Sequence, residues 1–263
     1  MAARTTPALP LSHRADAAQC KICGQSTRLI GVVDFNKNCM ERRGVRLTPA
    51  GAPIYYARCQ HCGLMFTDAF DAWTVDDFRV HIYNDSYQRF DPDYSASRPQ
   101  ANAKWIARTL GTRGKALRLL DWGAGSHELE IALRQHGFGD VTAYDLIVPG
   151  LDRRPSGLFD IVSSFETLEH VPRPIEAIEA IAALLKPNAA ILYSTLLQPT
   201  NIEQLGTNWW YCAPRNGHIS LFTKKSLAIL WSRVGLSSYH FGPSYHLAVR
   251  GKPGWLKLAV KAR

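Results

Sequence analysis

The chain has 263 residues, of which 46% are hydrophobic and 20% charged, and its formal net charge is +9. This length supports one large domain with a small appendage, and no apolar run approaches the roughly 18 residues that a membrane-spanning helix needs. The positive charge is compatible with an acidic partner such as nucleic acid, a nucleotide-linked substrate or an anionic lipid surface. Because the basic residues are spread along the chain, they do not select among these partners.

The two ends of the chain are predicted to be tails. Residues 1–18 lack the continuous apolar stretch of a secretory signal, so we expect a disordered segment there and a cytoplasmic protein. Residues 253–263 form the second predicted tail, which is basic.

Two cysteine pairs follow the first tail, Cys20-Lys-Ile-Cys23-Gly and Cys59-Gln-His-Cys62-Gly. Each pair has the spacing of a metal-binding knuckle, and the glycine after the second cysteine lets backbone amides turn toward the sulfurs. Two knuckles offer four thiolates to one tetrahedral ion, and in a reducing compartment this pattern indicates zinc more often than disulfides. The sequence predicts a structural zinc site, because nothing suggests the open coordination position of a catalytic zinc.

Residues 19–82 are predicted to form a zinc-ribbon-like module around this site. A closed four-cysteine site stabilises a region that is too small to form its own core. Within the module, GAPIYYARC is typical of a strand that enters the second knuckle. Cys39 and Cys212 are not among the four predicted metal ligands, and we expect each to be a small buried side chain.

Beyond residue 100, apolar runs with helical spacing alternate with shorter, continuous ones. The predicted helices are KWIARTL, HELEIALRQHG, PIEAIEAIAALLK and TKKSLAILWSRVG, and the predicted strands are LRLLDWG, DVTAYDL, FDIVSSFE, AAILYSTLL, LSSYHFG and SYHLAVRG. Strands that alternate with helices give a parallel sheet covered on both faces, and the last two strands add one antiparallel strand. We therefore predict a doubly wound α/β domain over residues 83–252, whose ligands bind at the carboxyl ends of the strands.

The first strand of this domain runs into a glycine-rich turn. Asp121, Gly123 and Gly125 lie where the strand ends and a helix begins. Glycines there let the backbone approach a ligand, and the amides of the helix start can donate to it. Asp145 ends the next strand about 20 residues later, where a carboxylate can accept hydrogen bonds from both ribose hydroxyls of a nucleoside. Together these residues predict a cofactor that contains a nucleoside.

The glycine pattern distinguishes between cofactors. The run has Glu128 where a dinucleotide-binding G-x-G-x-x-G motif has its third glycine. The pattern D-x-G-x-G after an apolar strand instead resembles the class I S-adenosylmethionine-dependent methyltransferases. Downstream, FETLEH is similar to the E-x-x-E-H turn of that family, LKPNAAILYST to its LKPGG strand, and GHISLFTKKSLAILWSRVGL to the C-terminal helix of its small-molecule members. The resemblance covers roughly residues 85–250.

The resemblance implies a Rossmann-like sheet of the seven-stranded type, with S-adenosylmethionine as cofactor. A cysteine-rich module ahead of such a domain also resembles a subset of bacterial methyltransferases, many of which act on sugars or other secondary metabolites. The cofactor contacts that the resemblance implies are Asp121, Gly123, Gly125, Asp145, Phe165 and Glu166.

Three positions depart from the family pattern. His127 replaces the third glycine of the family's G-x-G-x-G, and Asn188 and Ala189 replace the glycines of LKPGG. Only about 14 residues separate Asp145 from Asp160, so the third strand and its adenine-contacting acid are predicted to be shortened or missing.

Two histidines are candidates for the base that a hydroxyl acceptor requires, since an imidazole titrates near neutral pH. His170 follows the third predicted strand at the ligand-bearing edge of the sheet, and the alternative is a structural role in the turn. His218 lies in the long segment before the last helix, where this fold usually builds its acceptor pocket, and a structural loop histidine is the alternative. We predict O-methylation with a histidine base.

Aromatic residues and one arginine complete the predicted site. Trp209, Trp210 and Tyr211 are consecutive, so at least one should line a pocket, where it could stack on a sugar or a planar ring. Packing against the core is the alternative for each of them. Arg98 is predicted to pair with the cofactor carboxylate, against the alternative of a solvated side chain.

The leading hypothesis is a methyltransferase that acts on a small-molecule or sugar-containing acceptor. A second hypothesis is an RNA methyltransferase whose zinc ribbon binds RNA, which the basic charge favours mildly. The turn after the third predicted strand argues against RNA, because FETLEH stands where an N-P-P-Y-type turn would be. A third hypothesis is a non-catalytic binding protein that retains the fold, against which the intact cofactor residues argue.

Overall fold

The computed structural model describes Leu9, Leu11 and residues 18–94 and 97–256, and it contains two sheets. The strands are β1 (Thr27–Asp34), β2 (Pro53–Cys59), β3 (Met65–Phe66), β4 (Arg118–Trp122), β5 (Asp140–Tyr144), β6 (Phe159–Phe165), β7 (Leu185–Ser194), β8 (Ser220–Leu221), β9 (Ser237–His240) and β10 (Tyr245–Val249). The α-helices are α1 (Val75–His81), α2 (Ser97–Gly114), α3 (Glu128–Gln135), α4 (Pro174–Ala182), α5 (Ile202–Leu205) and α6 (Lys224–Ser232). Short 3-10 helices cover Cys39–Arg43, Tyr87–Arg89, Leu168–His170, Gly206–Asn208 and Pro214–Asn216.

The larger sheet has the order β5-β4-β6-β7-β10-β9. Strands β5, β4, β6 and β7 are mutually parallel, and β10 is antiparallel to both of its neighbours. The predicted doubly wound sheet with one antiparallel strand is therefore confirmed. Because β4 lies between β5 and β6, the carboxyl ends of these three strands meet at one edge.

The sheet has six strands, because the third strand of the seven-stranded type is missing. Residues 145–158, all of which the structure describes, contain no strand. The chain turns back instead: the Leu151 N–H donates to Val148 O (3.1 Å) and the Asp145 N–H to Leu151 O (3.0 Å). The shortening predicted from the spacing is thus a compact loop at the rim of the sheet.

Helices cover both faces of this sheet, as the alternating pattern predicted. Successive strand residues point to opposite faces, so Leu119 packs in the cluster that contains α2 and α3, whereas Leu120 packs in the cluster that contains α4 and α6. Trp231 of α6 is fully buried against Tyr193 of β7, with ring centroids 5.2 Å apart. These two apolar layers fix the sheet edge that carries the glycine turn.

The smaller sheet is antiparallel and combines distant parts of the chain. Its order is β1-β2-β3-β8, with Met65 opposite Leu221 and Phe66 opposite Ser220. The first three strands lie in the predicted zinc-ribbon module, and β8 comes from the predicted methyltransferase domain. The strand predicted before the second cysteine pair is β2, and Cys39 and Cys212 are both buried, as expected.

The predicted tails lie almost wholly outside the described residues. Only Leu9, Leu11 and residue 18 of the first tail and residues 253–256 of the second are described. In the described part of the chain, every helix is too short or too polar to cross a membrane.

Candidate active site

A cleft of about 1080 Å³ opens at the carboxyl ends of β4, β5 and β6. The glycine turn after β4 and the loop after β5 form one wall, and the turn after β6 forms its floor. Lining residues from within 71–94, together with Arg98 and Pro99, close it from another side. Among its lining residues are all seven predicted cofactor contacts: Arg98, Asp121, Gly123, Gly125, Asp145, Phe165 and Glu166.

The turn after β4 requires glycine at two positions. Gly123 and Gly125 have φ values of 76° and 65°, in the left-handed region that glycine tolerates best. A Cβ on Gly125 would lie 1.9 Å from Tyr94 Oη, and a Cβ on Gly123 would lie 2.5 Å from the Thr167 side chain. The Tyr94 and Thr167 side chains therefore lie directly against the turn, and a residue with a Cβ does not fit at either position.

Asp145 closes the turn from the neighbouring strand. The Gly125 N–H donates to Asp145 Oδ2 (2.8 Å), and the Ile147 and Val148 N–H groups donate to Oδ1 at 2.8 and 3.2 Å. A carboxylate oxygen has two lone pairs, so Oδ2 keeps one for a hydroxyl in the cleft. This arrangement fits the ribose of a nucleoside, which is the contact predicted for Asp145.

Asp121 lies beneath the turn and is buried. The Ser163 hydroxyl donates to its Oδ1 (2.8 Å). Burial raises the pKa of Asp121 to about 7, partly offset by this hydrogen bond. The side chain is therefore poised between its acid and ionised forms near neutral pH.

A small side pocket of about 70 Å³ adjoins the cleft. Four residues, Asp91, Arg98, Glu166 and His170, line both cavities. His218, Trp210 and Tyr211 line the side pocket only. The structure therefore brings both predicted histidines to the same pocket, with His170 at the junction and His218 behind it.

The hydrogen bonds of these histidines fix their tautomers. Nδ1 of His170 lies 3.2 Å from Gly217 O, and Nδ1 of His218 lies 2.7 Å from Tyr211 O. A carbonyl only accepts, so each Nδ1 carries the hydrogen and each Nε2 keeps a lone pair. Burial lowers the pKa of His218 to about 4 and that of His170 well below its usual value. Both imidazoles are therefore neutral at pH 7.

The remaining predicted contacts lie in different places. Arg98 lines the cleft, but its guanidinium binds Asp91 through two contacts of 2.6 and 2.8 Å. Trp209 is buried and lines neither of these two cavities, whereas Trp210 stacks under the Arg42 guanidinium at 3.7 Å. Phe165 is buried against Trp105, with ring centroids 6.0 Å apart.

A family described as "Methyltransferase domain" matches residues 94–240, more than half of the chain. The chain belongs to this methyltransferase family. The matched region contains the glycine turn, both predicted acids and both histidines, so the family assignment and the cleft concern the same residues.

The curated relatives of this methyltransferase include two ubiquinone biosynthesis O-methyltransferases. The protein from Bordetella avium is 33% identical over 35% of this chain and 48% of its own length. The protein from Stutzerimonas stutzeri is 31% identical over 44% of this chain and 59% of its own length. The chain thus spans about half the length of these two relatives.

Two solved structures also resemble this methyltransferase. An O-methyltransferase family protein from Burkholderia thailandensis has a TM-score of 0.49 at 15% identity, covering 65% of this chain and 62% of that one. Magnesium protoporphyrin IX methyltransferase from Synechocystis, solved with bound SAH, has a TM-score of 0.47 at 19% identity, covering 70% of this chain and 97% of that one.

Sequence reasoning missed several residues of the site. Glu169 is buried beside His170, Ser194 binds Glu166, and Asp91 binds Arg98. Glu169 stands in the quoted FETLEH turn, one helical turn after Glu166, and that spacing was the available signal. Ser194 and Asp91 have no such signal, because only the tertiary fold brings them to the cleft.

The four predicted metal ligands of this methyltransferase come together. The four Sγ atoms all lie within 4.8 Å of one another, in Cys20, Cys23, Cys59 and Cys62. Cys20 Sγ is 3.5 Å from Cys62 Sγ, and Cys23 Sγ is 3.4 Å from Cys59 Sγ. Zn–S bonds of about 2.3 Å in a tetrahedron place sulfurs about 3.8 Å apart. The Cys62 N–H points to Cys59 Sγ at 3.4 Å, as the knuckle requires. The donor set therefore fits a tetrahedral ion.

A second group of side chains has the chemistry of metal ligands. Glu169, His170 and His218 each offer one ligand atom, and these atoms lie within 4.8 Å of one another beside the side pocket. A carboxylate with two imidazoles is a donor set that divalent transition metals accept.

Proposed function

We propose that this methyltransferase transfers a methyl group from S-adenosylmethionine to an oxygen atom of a small-molecule or sugar-containing acceptor. The observation that carries the proposal is the cleft itself, in which a glycine turn and the Asp145 carboxylate lie at the carboxyl ends of adjacent parallel strands. The names of the relatives, which are ubiquinone biosynthesis O-methyltransferases, favour oxygen as the accepting atom.

The donor side of the cleft would hold the cofactor through the residues that the sequence predicted. Gly123 and Gly125 line the cleft, and Asp145 Oδ2 has a lone pair for a ribose hydroxyl. The bound cofactor supplies an electrophilic methyl group on a positively charged sulfur. Because this transfer needs in-line alignment more than charge stabilisation, holding both partners rigidly is the main contribution of the protein.

The acceptor side would receive the proton of the acceptor hydroxyl. His170 is the proposed base, since it lies at the junction of the two cavities and its Nδ1 hydrogen bond to Gly217 O leaves the acceptor lone pair on Nε2. His218 packs against it, with ring centroids 4.9 Å apart, and would hold its orientation. Trp210 lines the side pocket with the Arg42 guanidinium stacked on one face of its ring, so its other face is the planar surface proposed for a sugar or ring acceptor.

The proposal is tested by binding and turnover measured separately. Calorimetry should detect binding of S-adenosylhomocysteine to the wild-type protein, and Asp145→Asn should weaken it about tenfold, the loss of one charge-assisted hydrogen bond. His170→Ala should leave that affinity intact and lower kcat on a panel of hydroxylated acceptors roughly 100-fold. Failure of the wild-type protein to bind the ligand at millimolar concentration would overturn the proposed function.

We further propose that the four cysteines hold a structural zinc ion. The sulfur separations and the knuckle amide support this assignment. Metal analysis of protein purified under reducing conditions should find about one equivalent of zinc per chain, and this zinc should be lost when Cys59 is replaced. Zinc well below one equivalent in folded protein would contradict the proposal.

A further inference from the structure

The N-terminal part of the chain holds the segment that brings His218 to the site. We name residues 209–218 the acceptor segment; it has one short 3-10 helix at Pro214–Asn216 and neither a strand nor an α-helix. Contacts from elsewhere must therefore supply much of its rigidity. Two of them come from Lys37, which follows β1, and from Tyr56, which lies in β2. Neither residue lines the cleft or the side pocket.

Lys37 holds the first half of the acceptor segment. Its Nζ donates to Trp209 O (2.9 Å) and to Cys212 O (2.5 Å). Its backbone takes part as well, because the Lys37 carbonyl oxygen accepts from the Arg215 N–H (3.1 Å). Hydrogen bonds from an ammonium group are stronger than those from neutral donors. One side chain thus fixes the backbone on both sides of Tyr211.

Tyr56 holds the second half of the acceptor segment. From a fully buried position, its hydroxyl donates to His218 O (2.6 Å). The His218 ring is held separately, through the hydrogen bond from its Nδ1 to Tyr211 O (2.7 Å). In sequence, this carbonyl lies between the two that Lys37 binds. His218 is therefore fixed through its main chain and its side chain, and its ring packs against the proposed base His170, with ring centroids 4.9 Å apart.

Resting on the proposed function, we propose that Lys37 and Tyr56 are positioning residues for methyl transfer. Because neither lines a cavity, each acts through His218, which supports His170 at the junction of the cleft and the side pocket. A catalytic group that is slightly displaced loses rate, so hydrogen bonds that fix it from behind contribute to turnover without contacting the acceptor. The N-terminal part of the chain therefore contributes to the reaction as well as to the fold.

Nitrogen-15 NMR of histidine-labelled protein measures the placement of His218 without any ligand. The signal that disappears in His218→Asn identifies this residue. A hydrogen bond to a carbonyl selects the tautomer with the hydrogen on Nδ1, so the wild-type protein should show that tautomer alone. Lys37→Met and Tyr56→Phe each release one end of the acceptor segment, and each should shift His218 toward a mixture of the two tautomers.

Two matched variants control for the loss of a lysine or tyrosine hydrogen bond elsewhere. Lys225 Nζ donates to His61 O (2.6 Å), and Tyr193 Oη contacts Ser238 Oγ (2.9 Å) from a fully buried position. None of these four residues belongs to the acceptor segment or lines either cavity. Lys225→Met and Tyr193→Phe should therefore keep the wild-type His218 signal. An equal change in a control and its matched variant would show general destabilisation and overturn the proposal.

Turnover is measured on a panel of phenols and glycosides with S-adenosylmethionine as donor. Lys37→Met and Tyr56→Phe should each lower kcat about fivefold and leave the KM for S-adenosylmethionine unchanged. Lys37→Arg keeps a charged donor and should retain most of the wild-type kcat. An unchanged kcat in folded Tyr56→Phe protein would overturn the proposal, whether or not Lys37→Met folds. Absence of S-adenosylhomocysteine binding by the wild-type protein would instead overturn the proposed function, and the NMR measurement, which needs no ligand, distinguishes the two failures.

Discussion

The donor and acceptor sides of the cleft are built in different ways. On the donor side, Asp121, Gly123, Gly125 and Asp145 lie on one continuous segment, from β4 to the end of β5. On the acceptor side, His218 and Tyr211 come from the long segment between β7 and α6, which has only short helices and the two-residue strand β8. Glu166 and His170 follow β6, and Ser194 ends β7. The donor side is therefore local in sequence, whereas the acceptor side depends on contacts between distant segments.

Those contacts lead from the acceptor side to the four cysteines. The Ile219 N–H donates to Glu169 O (2.7 Å), and the Thr67 N–H donates to Ile219 O (3.0 Å). Thr223 Oγ1, at the start of α6, donates to Cys62 O (2.7 Å). The smaller sheet thus joins the second knuckle to the segment that carries His218, so a metal ion at the cysteines would stabilise the acceptor side in particular.

Metal removal should produce the largest effect, and we expect that effect on the acceptor side. Structural zinc contributes on the order of 10 kcal/mol to small domains. We expect chelation to abolish methyl transfer and to increase hydrogen exchange at residues 211–221, while residues 118–145 keep their protection and S-adenosylhomocysteine still binds. His61→Ala is the matched control, because this exposed residue sits in the same knuckle without being a predicted ligand. If chelation abolished S-adenosylhomocysteine binding together with methyl transfer, the donor and acceptor sides would not depend on the metal in different ways.

Buried groups on the two sides should change the stability of the fold in opposite directions as the pH rises. The pKa of His218 is lowered by burial to about 4, so its contribution to stability is fully present above the unfolded-state pKa near 6.5 and is lost as the pH falls through the folded-state value. The pKa of Asp121 is raised by burial to about 7, so its contribution is fully present below the unfolded-state pKa near 3.9 and is lost as the pH rises through the folded-state value. Each effect amounts to roughly 3 to 4 kcal/mol.

Urea unfolding of matched variants at pH 4.5 and 7 measures these contributions. The stability difference between the wild-type protein and His218→Asn should grow from pH 4.5 to 7, and the difference between the wild-type protein and Asp121→Asn should shrink. If both stability differences changed in the same direction between pH 4.5 and 7, the burial of one of these groups would differ from that described.

Gly125→Ala should impair the donor side alone. The substitution places a Cβ 1.9 Å from Tyr94 Oη and forces a φ of 65° on alanine, a cost of about 2 kcal/mol. We expect affinity for S-adenosylhomocysteine to fall roughly thirtyfold. Gly139→Ala, at a position where an added Cβ meets nothing within 4 Å, should leave it unchanged. Equal losses in both variants would point to general destabilisation.

His218→Ala should give the smallest effect, on the acceptor side alone. Its ring supports His170 without lining the main cleft, so we expect kcat to fall about tenfold while the affinity for S-adenosylhomocysteine is retained. His136→Ala, an exposed histidine at the end of α3, serves as the control. An unchanged kcat would remove His218 from the mechanism.

The difference between the donor and acceptor sides also explains which sequence predictions were confirmed. The order of strands and helices, the antiparallel strand and the missing third strand were all predicted from apolar periodicity and spacing. The Cys-x-x-Cys pairs were identified by the same kind of short pattern, and the structure brings their sulfurs together. The proposed separation of a zinc-ribbon module from the main domain stays a prediction, since β8 pairs with β3 across that boundary.

The order of strands and helices and the glycine turn of the cleft could be predicted from sequence, because strand, turn and helix are encoded by residues that are neighbours in the chain. Three other features could not be predicted: Arg98 binds Asp91, Trp209 packs inside, and Glu166 contacts Ser194 and Tyr211. The physical reason is that such contacts depend on how strands pair and how side chains compete for partners over long separations, and no local pattern records the outcome of that competition.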